Sequence, residues 1–129
     1  MERKLASEFP QELLDLLIAP PASLSDSTRR IADSLGWTQA LAAAVQRRIE
    51  YHFGLAWSEF EAERSGGSQE LLVIHDGKDS EVPIADGLRH ARAWPRARLL
   101  QTTGLGHRRL LADPTVIAAT VDFLAGERP

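Results

Sequence analysis

The chain has 129 residues, of which 43% are hydrophobic and 26% charged, and a formal net charge of −3. That length fits one ordinary domain, and that balance fits a globular chain and not a disordered one. The acidic excess gives no electrostatic reason to bind nucleic acid or an anionic membrane surface, and the lack of any cysteine excludes disulfides, thiolate catalysis and cysteine-ligated metals.

The N-terminal stretch MERKLASEFPQELLDLLIAPP has a charged start, but its apolar run is short and contains Asp15. It makes a poor signal peptide and is far too short to cross a bilayer; a cytoplasmic location is the expectation. Within it, Leu13, Leu14, Leu17 and Ile18 fall at helical spacing and predict a helix over residues 8–18, with Pro10 near its start and Pro20-Pro21 as its stop. After the polar connector ASLSDS, a second helix is expected from Ser27 to Leu35, capped by Ser25 or Asp26 and ended by Gly36. A third runs from about Thr38 to Phe53, ended by Gly54, with Leu41, Val45, Ile49 and Phe53 on one face. Residues Trp57 to Arg64 suggest a further short helix, and SGGSQ at 65–69 a flexible joint.

The character then changes. LLVIH, residues 71–75, is a short continuous apolar run with β-branched residues, as in a strand buried on both faces of a parallel sheet. Pro83 opens a helix whose apolar face includes Ile84, Leu88, Ala91 and Trp94, and Pro95 ends it. ARLLQT, residues 97–102, reads as a second strand and TGLGH as a tight loop. Asp113-Pro114 is a cap followed by proline at the first helical position, opening a last amphipathic helix that Gly126 stops. The expected organisation is therefore α/β: a helical region over 1–65, then a strand–helix–strand–helix unit with parallel strands over 66–129.

A right-handed crossover puts the C-terminal ends of two parallel strands at one edge of the sheet, where sites are commonly built. The loop after the first strand carries Asp76 and Asp79, and the loop after the second carries His107. Adjacent strands lie about 4.8 Å apart, so a carboxylate and an imidazole can meet across these loops. Such a carboxylate accepts the Nδ1–H bond, fixes the tautomer and stabilises the imidazolium formed when Nε2 takes a proton. Asp79 and His107 fit that pairing; Asp76, coming directly off the strand, could instead cap the turn.

The segments HDGKDSEVP and AWPRARLLQTTGLGHRRLLADPTVIAATVDFLAG resemble the C-terminal part of the α/β-hydrolase family. There an acid in a D-x-x-V-P turn follows one late strand and a Gly-His follows the last. Asp79-Ser80-Glu81-Val82-Pro83 and Gly106-His107 match these motifs, in the acid-then-histidine order of that fold. The resemblance covers roughly residues 69–126, and the helices of residues 8–64 resemble the cap many such enzymes insert before the acid-bearing strand. It implies ester or related acyl hydrolysis of a small molecule through a Ser–His–Asp triad, without a cofactor, with Asp79 as orienting acid and His107 as base and then acid.

The family's G-x-S-x-G nucleophile turn and its oxyanion loop have no counterpart here: no serine of the chain has the flanking glycines, and Gly66-Gly67-Ser68 precedes a strand instead of following one. The expectation is a C-terminal hydrolase segment that is inactive alone. The alternatives are a non-catalytic helical interaction module, or one half of a split hydrolase completed by a partner chain. Either incomplete sheet predicts self-association or a covering partner. His75, Asp76, Asp79 and His107 could also be assembled on paper into a metal site, but His75 would have to turn away from the sheet, and a packed, hydrogen-bonded histidine is the plainer reading. His52 and His90 are expected at the surface. Trp37, Trp57 and Trp94 with Phe53 and Phe60 are expected in the core. The arginine pairs 29–30, 47–48 and 108–109 are expected to be solvated.

Overall fold

The computed structural model describes residues 14–64 and 66–126. Three parallel strands form one sheet in the order β1 (Leu14–Ile18), β2 (Glu70–Asp76), β3 (Ala97–Thr102). Between β1 and β2 lie the helices α1 (Leu24–Ser34) and α2 (Gln39–Phe53), then two 3-10 turns at Trp57–Phe60 and Ala62–Arg64. Helix α3 (Ile84–Ala93) crosses from β2 to β3, and a 3-10 turn at Arg109–Ala112 leads into α4 (Pro114–Leu124).

The helix expected over residues 8–18 is corrected: residues 14–18 are a strand, paired from Leu14↔Glu70 to Ile18↔Ile74, while residues 8–13 lie outside the described residues. A five-residue apolar run has no periodicity that separates helix from buried strand. Here the partner decides. Leu16 and Ile18 pack into the cluster of Leu72, Ile74, Leu110, Val116 and Phe123 on one face of the sheet, and Leu17 into that of Leu71, Val73 and Trp94 on the other. A strand serves two faces in alternation, which a helix cannot. The sheet ladder continues through the Ala19 N–H to the Ile74 carbonyl at 2.8 Å. Ala19 then takes a left-handed backbone, φ 50°, a conformation that costs a non-glycine residue about 1 kcal/mol and turns the chain sharply towards the cap helices.

Strand β2 is the centre of the sheet, and Leu71 to Asp76 are all buried. Helix α4 covers one face and α3 the other. Helix α1 begins three residues earlier than expected because Ser23, not Ser25 or Asp26, is its cap: Ser23 Oγ accepts the Asp26 N–H at 3.1 Å. Asp26 instead sits in the first turn, where a carboxylate favours the helix dipole. The left-handed stop of α2 at Gly54 and the Asp113 cap of α4 match the sequence pattern, and Thr38, read as the approximate start of α2, is its cap.

The segment between β1 and β2 docks on α3 through polar contacts. Arg89 meets Glu63 at 2.7 Å, Glu61 at 3.0 Å and Asp26 at 3.6 Å. Asp86 accepts the Ala22 N–H at 3.1 Å and stands 3.4 Å from Arg30. His90, expected at the surface, is buried, with Nε2 2.8 Å from the Pro21 carbonyl; the cap closes over it. Trp57 and Trp94 are buried, but Trp37, Phe60 and Phe53 are exposed, Phe53 by 66%. Helix α2 packs mainly on α1, and no residue of α2 is buried.

Candidate active site

The site stands at the C-terminal ends of β2 and β3, which are adjacent and parallel, with Asp76 in register with Thr102. Asp76 is wholly buried and gathers both loops. Its Oδ1 accepts the Thr102 hydroxyl at 2.6 Å and the Leu105 N–H at 3.0 Å; its Oδ2 accepts the Gly106 N–H at 3.0 Å and the Lys78 N–H at 2.9 Å. Burial alone would push its carboxyl up, but the four donors outweigh it and hold the group well below the usual carboxylate range. The left-handed backbone of Gly104 (φ 86°) and Gly106 (φ 73°) turns the two amides towards that acceptor.

With the loops tied together, Asp79 and His107 meet. His107 Nδ1 is 2.8 Å from Asp79 Oδ2. The Asp79 side chain is fully buried, and its Oδ1 accepts the N–H groups of Val82 at 2.8 Å and Glu81 at 2.9 Å. Its burial again acts upward, and the Val82 amide, His107 and the Glu81 amide bring the carboxyl below its ordinary value. Asp79 is thus ionised at neutral pH and accepts, so His107 donates from Nδ1 and Nε2 is left as the base. The ring is 33% exposed, and Nε2 lies 3.7 Å from Glu81 Oε2. Glu81 is held from its far side by Arg108 at 2.9 Å. Beside Glu81 a cleft of about 560 Å3 opens between the acid loop and α1, lined by Pro21, Ser27, Arg30, Ile31, Ser34 and Val82.

The sequence placed Asp79 and His107 at one sheet edge, and they are in contact. Asp76 caps its turn, as the alternative reading had it, and does more: it also binds the loop of the neighbouring strand. The signal for that lay in Thr102 and the glycine-flanked Leu105-Gly106, whose hydroxyl and amides need an acceptor. Glu81 was missed, because a glutamate in a turn carries no pattern of its own. His75 is buried with Nε2 2.9 Å from the Val82 carbonyl, the packed and hydrogen-bonded state expected of it. Among the described residues no group of three or more His, Asp or Glu side chains is arranged to hold a metal ion, and no helix is long and apolar enough to cross a membrane.

No family model matches the chain, and no curated protein matches it in sequence. Its fold is similar to that of a Mycobacterium tuberculosis H37Rv protein assigned as the non-heme bromoperoxidase BpoC, at 15% identity and a TM-score of 0.59, over 90% of this chain and 59% of that one. Rv0554 of Mycobacterium tuberculosis gives 15% identity and a TM-score of 0.60 over 90% of this chain and 57% of that one. The Pyrococcus furiosus esterase PF2001 gives 17% and 0.56 over 95% of this chain and 47% of that one. The chain therefore spans less than two thirds of the length of each protein it resembles. At such identities the likeness speaks to architecture alone, and the architecture is α/β, a parallel sheet with flanking helices built as in α/β-hydrolase fold proteins.

Proposed function

We propose that this chain carries the acid and the base of a serine-type acyl hydrolase, Asp79 and His107, and that the nucleophile and oxyanion donors come from residues outside this sequence. The observation that supports it best is the 2.8 Å contact between His107 Nδ1 and the wholly buried, ionised side chain of Asp79, with the imidazole a third exposed. In that arrangement His107 Nε2 takes the proton of an attacking hydroxyl while Asp79 stabilises the imidazolium. The same nitrogen then returns the proton to the leaving alcohol or amine. Glu81, half-exposed and held from one side by Arg108, swings aside to admit the nucleophile.

The substrate class is a small ester or related acyl compound, and the reaction needs no cofactor. A partner segment adds to an open edge of the three-stranded sheet, where unpaired backbone groups invite another strand. Alone, the chain turns over little p-nitrophenyl acetate beyond the level of a His107→Ala control, and a fluorophosphonate probe labels no serine. Stoichiometric serine labelling of the isolated chain, abolished by His107→Ala, would overturn the proposal and point to a complete enzyme built from these residues.

A further inference from the structure

Behind Asp79 stands a second imidazole that the proposed chemistry does not use. His75, the penultimate residue of β2, has no exposed surface. Its Nε2 is 2.9 Å from the Val82 carbonyl oxygen and 3.4 Å from Asp79 Oδ2, the same oxygen that meets His107. Both neighbours are acceptors, so Nε2 carries the hydrogen. Nδ1 has no partner among the described residues, as a bare lone pair allows and a buried N–H would not. The ring is pinned from behind by Gly87 of α3: a Cβ there would lie 2.5 Å from Nδ1 and 3.1 Å from the histidine's own Cβ and Cγ.

The consequence is geometric. The Val82 amide holds Asp79 Oδ1 while the Val82 carbonyl is held by His75, so one peptide segment is fastened at both ends. The Nε2–H of His75 also places the positive end of its dipole beside Oδ2. Asp79 is thereby walled into one rotamer, with Oδ2 turned to the base.

We infer that His75 is a positioning residue for the Asp79–His107 pair, acting through Val82 and Asp79 and kept in place by the missing side chain of Gly87. The inference rests on reading Asp79 and His107 as acid and base, but it concerns their geometry in the chain as it stands.

Its test is therefore spectroscopic. In the chain labelled with 15N-histidine, the ring nitrogen shifts report which nitrogen of each imidazole carries the proton. We expect His75 in the Nε2–H form and His107 in the Nδ1–H form, with a downfield Nδ1–H proton that exchanges slowly. His75→Phe keeps the ring and removes the donor; it abolishes the downfield proton and returns His107 to the mixed tautomers of free imidazole. His75→Gln supplies an N–H to Val82 and restores the signal at least in part. Gly87→Ala leaves every donor in place but displaces the ring, and gives the same loss as His75→Phe; it carries the test if His75→Phe does not fold.

An unchanged His107 tautomer and downfield proton in folded His75→Phe or Gly87→Ala would overturn the inference, as would His75 in the Nδ1–H form. These readings need no turnover, so failure to restore activity with a nucleophile-bearing partner would count against the hydrolase proposal and leave the positioning role standing.

Discussion

The loops beyond β2 and the helix α2 are opposites. The loops are short, polar and rich in glycine, with no regular structure of their own, yet their backbone amides converge on two buried carboxylates, Asp76 and Asp79. Helix α2 has good helix formers, caps at both ends and an apolar face, which reads as core, yet Leu41 and Phe53 stand 46% and 66% exposed. Local order comes from satisfied groups in a buried place, not from the regularity of the element that carries them. The apolar face of α2 packs on α1 but stays open to solvent at its ends, whereas the site loops are tied by their amides to buried acceptors.

The sharpest way to break this comparison is Asp76→Ala. It strands one hydroxyl and three amides in a buried corner, at about 1–3 kcal/mol for each group left unpaired. Some of them find water, so we expect a loss of about 4 kcal/mol in urea unfolding and loss of the His107 Nδ1–H signal. A variant within 1 kcal/mol of the parent, on the order of a surface change, would mean the loops hold themselves.

Acid should expose the same dependence. Asp76 and Asp79 are both depressed in the folded chain, so their contribution is fully present above the ordinary carboxylate value of about 4 and is lost as pH falls through their folded values. Stability measured by urea should fall steeply with acid below that point, and the fall should be shallower in Asp76→Asn. Equal slopes for the two proteins would place the acid sensitivity elsewhere.

Smaller effects belong to the helical segment between β1 and β2. Arg89→Ala removes the cation shared by Glu61, Glu63 and Asp26. Those pairs are partly solvated, so the loss should be about 1 kcal/mol, seen as faster amide exchange in residues 24–64 with β2 unchanged. Smallest of all, Phe53→Ser should change stability by no more than about 0.5 kcal/mol, while raising solubility. A loss of several kcal/mol there would mean that α2 is packed in solution.

How much of this could be read beforehand follows from the kind of signal each part carries. The stop at Gly54 and the Asp113-Pro114 start were legible because they are single-residue chemistry, each solving a local problem, whereas the cap of α1 was misplaced among the neighbouring Ser23, Ser25 and Asp26. The Asp79–His107 pairing was legible because the motifs follow two strands whose crossover puts their C-terminal ends at one edge, and the two strands are adjacent. Strand β1 was not, since LDLLI has too few residues for a period to show and its pairing partner lies more than fifty residues on. The exposure of α2 was not, because amphipathicity says that a face is apolar and not what covers it. The burial of His90 depended on the cap folding back to present the Pro21 carbonyl, a tertiary event with no local trace.

The most direct measurement is reconstitution. On the proposed reading, a chain bearing further parallel strands and a G-x-S-x-G turn, mixed with this one, should give ester turnover and fluorophosphonate labelling of its serine, and Asp79→Asn or His107→Ala in this chain should remove at least a hundredfold of the gained rate, the scale on which a positioned proton-transfer group contributes. Restored turnover that is indifferent to both substitutions would contradict the assignment of Asp79 and His107 as acid and base.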